Sequence, residues 1–88
     1  MLLIIKEQLD IHFDINELNK YSEVLLMDDG VYNILTHDFF KLEKKINILG
    51  NDLKARGINL PKKFIIINII NYNEFIQLKT DNKIIINQ

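Results

Sequence analysis

Phe64-Ile65-Ile66-Ile67-Asn68-Ile69-Ile70 is the stretch on which the reading of this chain turns. Six of its seven positions are apolar and five are β-branched isoleucine. In a chain of 88 residues such a segment has to be buried, or it pairs with other copies of itself. It reads as a central strand. Strands over 75–79 and 83–87 flank it, with turns at Asn71-Tyr72-Asn73 and Thr80-Asp81-Asn82. A helix from 62 to 78 is the rival. Its apolar positions would cover every face, and its β-branched content argues against it.

Upstream, Phe39, Leu42, Ile46, Leu49 and Leu53 recur at steps of three and four. That spacing predicts one main amphipathic helix over about 36–56. Thr36 is its N-cap, Asp38 its first-turn acid and Gly57 its C′ residue, with Gly50 tolerated inside it. Pro61 bars its continuation. Asp28-Asp29-Gly30 lies between the apolar runs Val24–Met27 and Val31–Leu35 and reads as a hairpin turn. Asp14 and Glu17 have capping-box spacing and predict a short helix near 15–21. Leu9, Ile11, Phe13 and Ile15 alternate with Gln8, Asp10, His12 and Asp14, the period of a half-buried strand. The run at 2–5 reads as an extension of that strand, with the start of a short helix as the alternative. The fold class expected is therefore α+β: a small single-layer antiparallel or mixed sheet packed against one main helix, in a single domain over 1–88.

Composition bounds the function. The hydrophobic share of 48% and charged share of 26% are those of a globular chain. There is no cysteine, so neither a disulfide framework nor a thiolate site exists. That points to a reducing, cytoplasmic setting. No run approaches a membrane span, and Met1–Ile5 is too short for a signal segment. The chain holds 17 Ile, 11 Asn and 10 Lys against single Ala, Arg and Pro residues. This skew follows AT-rich codons and marks a low-GC genome. Charge is uneven as well. Residues 1–38 carry eight acids against two lysines, and residues 39–88 carry nine bases against four acids. Such a dipole can steer a partner.

Few residues have the chemistry of a site. Asp10, His12 and Asp14 on one strand face, with His37 nearby, are weak candidates for metal binding. A solvated strand face accounts for the first three, and no metal or cofactor is assigned. Glu17, Glu23, Asp28 and Asp29 on the acidic half are candidates for contact with a protein. Lys41, Lys44, Lys45, Lys54, Arg56, Lys62 and Lys63 are candidates for phosphate contact, and Glu43 and Asp52 lie among them as counter-charges. There is no phosphate-cradling glycine loop, and Ser22 is the only serine. No catalytic residue is assigned.

These features predict a small non-enzymatic cytoplasmic module that binds another protein. The expected origin is a phage or mobile element, with the chain inhibiting or regulating a host or defence protein. The alternatives are a nucleic-acid-binding accessory protein using the basic 41–63 segment and a homo-oligomeric subunit such as a homodimer. No membrane partner is expected.

Overall fold

The computed structural model describes residues 1–42, 44–60 and 67–87. Among the described residues five strands form one sheet: β1 (Leu2–Ile5), β2 (Glu23–Leu26), β3 (Lys45–Leu49), β4 (Asn68–Ile70) and β5 (Ile84–Asn87). Every pairing is parallel, and the order is β4-β3-β2-β1-β5. Three α-helices lie between strands: α1 (Asn33–Thr36), α2 (Gly50–Ala55) and α3 (Tyr72–Asp81). 3-10 helices cover Ile15–Lys20, Asp28–Tyr32 and Phe39–Lys41. The architecture is α/β, which corrects the expected antiparallel or mixed sheet on one main helix.

The reason lies in β2. Val24, Leu25 and Leu26 are all fully buried. A strand covered on both faces has no polar side and reads as a continuous apolar run rather than an alternation. Each such side chain contributes about 1.5–3 kcal/mol on burial. Register then sorts the side chains. Leu3 lies opposite Val24 and Val24 opposite Ile46; Ile5 lies opposite Leu26 and Leu26 opposite Ile48. These six line one face, where Ile15, Leu18, Val31, Ile34, Phe39 and Leu53 cover them. The connections after β1, β2 and β3 supply that cover. Leu2, Ile4, Leu25, Leu49 and Ile70 form the second face, against Phe75 and Leu78 of α3.

Four expected elements are corrected. The helix over about 36–56 is broken: a 3-10 turn, then β3, then the six residues of α2. Gly50 opens α2 instead of interrupting a longer helix. Gly57 does sit just past the end of that helix, at φ 66°. Residues 75–79 belong to α3, because Asn71 and Glu74 close a reciprocal capping box at its start. Asp28-Asp29-Gly30 is no hairpin turn, since β2 and β3 run parallel and need a crossover. Gly30 is there for close approach: a Cβ on it would stand 2.0 Å from the Ile5 carbonyl oxygen. Residues 8–14 form a loop, in which Ile11 is 76% exposed.

The expected central strand 64–70 is corrected too. Its described part, β4, is at the sheet's edge, and β2 is central. Residues 64–66 lie outside the described residues. The short helix near 15–21 is present as a 3-10 helix, with Asp14 accepting the Asn16 N–H at 3.0 Å.

Candidate functional site

In parallel sheets, ligands and partners are met beyond the carboxyl ends of the strands. Here that end is closed by charge. Asp28 follows β2 at φ 50°, a left-handed backbone that aspartate tolerates better than most residues. Its N–H donates to Asp52 Oδ2 at 2.6 Å. Its carboxylate lies 3.6 Å from Lys6 Nζ, just past β1. Asp29 accepts two bonds from Arg56, Nε at 3.0 Å and Nη2 at 2.9 Å. Asp52 pairs with Arg56 Nη1 at 3.6 Å, and the guanidinium stands over the Tyr32 ring. The hydrogen bond to Asp29 raises the Arg56 pKa above its ordinary value, with charge from Asp29 and Asp52 adding to it. The acids here are matched by internal cations, so the network ties β1, β2 and α2 together.

Beside it, the loop after β1 is held from below. Buried Asn33 donates Nδ2 to the Glu7 carbonyl at 2.9 Å and accepts the Leu9 N–H at 2.8 Å. His37 Nε2 lies 2.9 Å from the Asp10 carbonyl, and its Nδ1 lies 2.9 Å from the Thr36 hydroxyl. His37 also meets Phe13 edge to face. Asp10 accepts the His12 N–H at 2.7 Å, and Asp14 caps the next 3-10 helix. Among the described residues no three His, Asp or Glu side chains come close enough to hold a metal.

The acidic candidates are not one surface. Glu17 lines a groove of about 210 Å³ between the 15–20 helix and β5, with Tyr21 and Ile85. Glu23 begins β2 and accepts Asn47 Nδ2. Asp28 and Asp29 lie at the opposite end of the sheet. The basic candidates are divided in the same way. Lys45 opens β3 and Lys44 just precedes it, while Arg56 pairs with Asp29 beyond the far end of β2. Lys41 ends a 3-10 turn and Lys54 is exposed on α2. Lys62 and Lys63 lie outside the described residues.

The structure adds Asn33, Asn47 and Tyr32 to the residues that the sequence singles out. Asn47 is buried on β3 and accepts from Asn68 at 2.9 Å while donating to Glu23. An asparagine between isoleucines, as at Ile46-Asn47-Ile48, was the available signal: a polar group in an apolar strand needs partners.

The fold and these sites define a small parallel α/β domain, well braced at its carboxyl end, with no thiol. The DsrH-like protein family model matches residues 7–84, and the chain belongs to that family. It is a family of sulfur-relay proteins, which overturns the expectation of a phage-encoded inhibitor. Neither the curated proteins nor the solved structures contain a match to the chain. Among the described residues no helix is long and apolar enough to cross a membrane.

Proposed function

We propose that this chain is a docking subunit of a sulfur relay, assembling with DsrE- and DsrF-type proteins and carrying no sulfur itself. One observation carries the reading: 88 residues of a relay-family chain contain no cysteine. A relayed sulfur atom travels as a persulfide, which requires a thiolate at each carrier. The sulfur atoms present here are the thioethers of Met1 and Met27, which cannot form that bond.

The test is reconstitution. The chain is co-purified with the DsrE- and DsrF-type proteins of its own genome. The assembly is then charged by a cysteine desulfurase with labelled cysteine. The expected result is a stable complex in which label enters a partner and never this chain, read by intact-mass spectrometry. Label covalently held by this chain, or failure to join either partner, overturns the reading.

A further inference from the structure

We propose that the outer edge of β5, with the lysines around it, seats an edge strand of a relay partner that is bordered by carboxylates. This rests on the docking reading above and specifies its surface. β5 pairs with β1 on one side and ends the sheet on the other. Leu2 N–H donates to the Lys83 carbonyl, and Leu2 lies opposite Ile84. Bonding groups alternate along a parallel strand, so Ile84 and Ile86 point their N–H and C=O groups outward. No charge or proline interrupts 84–87. Sheets that stand alone blunt such an edge; this one is left ready for strand addition.

Its side chains extend the surface on both faces. Ile84, Ile85 and Ile86 are 36%, 39% and 49% exposed. Ile85 lines the groove with Tyr21, on the face of Leu3. Ile84 and Ile86 lie on the α3 face. Glu74, Gln77 and Asp81 of α3 border a cleft above β3 and β4. Tyr72 and Ile76 occupy the helix's other flank and are 51% and 60% exposed. Exposed isoleucine thus lies on both faces of the strand edge, and Ile85 continues into the groove.

Charge selects the occupant. Lys20 lines the groove, Lys83 immediately precedes β5, and Lys79 lies one turn before it on α3. Among the described residues none of the three has an ion-pair partner. Lys20 and Lys79 rest over the rings of Tyr21 and Phe75. A second copy pairing edge to edge about Ile85 would set Lys83 against Asn87. At that end Lys6 is already occupied by Asp28, and along the groove a copy brings Glu17, one carboxylate for three lysines. A partner strand bordered by Asp or Glu satisfies them.

The experiment uses the reconstituted complex with the DsrE- and DsrF-type proteins. Lys20→Glu/Lys79→Glu/Lys83→Glu reverses the rim on exposed side chains, and Ile86→Lys charges the edge itself. Lys41→Glu/Lys44→Glu/Lys54→Glu is the matched control away from β5. Thermal melts confirm that each variant folds. The expected result is affinity lowered by about tenfold or more in both β5 variants, an unchanged control, and slowed exchange of the Ile84 and Ile86 amides in the complex. Wild-type affinity in both β5 variants, or loss in the control alone, overturns the proposal while leaving the docking reading intact. No complex with either partner overturns both. A wild-type homodimer broken by the β5 variants overturns it in favour of a second copy.

Discussion

The two faces of the sheet are built to different standards. One is sealed by three successive connections and encloses Phe39, Leu18, Val31 and Ile34 with the inward residues of three strands. Among the described residues the other is roofed by α3, which has no buried residue of its own, with Met27 beside it. The same strands serve both faces, so the contrast comes from topology. Three crossovers fall on one side of the sheet and the last on the other. The open edge of β5 borders both faces. Stability is concentrated on the face of Phe39, and the surface for a partner follows the edge.

The largest test of that contrast compares two phenylalanines. Phe39→Ala empties a buried position and should cost about 3–5 kcal/mol. Phe75→Ala, in the half-buried roof, should cost about 1–2 kcal/mol by the same measure. Denaturant melts of both variants check it; equal losses would erase the distinction. Next, Asn33→Ala removes two anchors of the loop after β1 and leaves the one from His37. About 1–3 kcal/mol should be lost, and the Leu9 amide should exchange faster. A smaller effect is expected on the roof itself. Asn71→Ala opens the capping box and should cost about 1 kcal/mol, with faster exchange confined to α3.

The smallest effect is Arg56→Ala, a small drop in Tm that shrinks with added salt. Its pKa is raised in the fold, so its contribution is complete below the unfolded value and is lost only as pH climbs through the folded one. Between about pH 6 and 9 the drop should not change, and a drop that varies there would implicate another group.

What the sequence disclosed follows the same division. Local chemistry was legible: Asp14 announces the 15–20 helix, and Ile84–Ile86 a strand. Positions decided by distant partners were not. Phe39, Leu42, Ile46, Leu49 and Leu53 keep a helical interval, yet Ile46 and Leu49 belong to a strand buried on both faces, where periodicity carries no information. Leu9, Ile11 and Phe13 alternate like a strand, but Asn33, 24 residues from Leu9, claims the loop's backbone groups. The helix at 72–81 carries its own local signal, for Asn71 and Glu74 have the same spacing as Asp14 and Glu17. At the site, the skew in charge was visible, but the pairing of Asp29 with Arg56 required the fold. The isoleucine run at 64–70 drew attention for its composition, and its described strand is an edge.

The position of β5 beside β1 also has a kinetic side. Leu2 pairs with Ile84, the widest chain separation of any strand register in the molecule, whereas β1 and β2 are joined through 17 residues. Closing the longer loop costs more entropy and rewards it with a short ladder. β5 is therefore expected to open at lower free energy than β2, read as faster exchange of its amides. When it opens, the buried strand β1 is left with a bare flank.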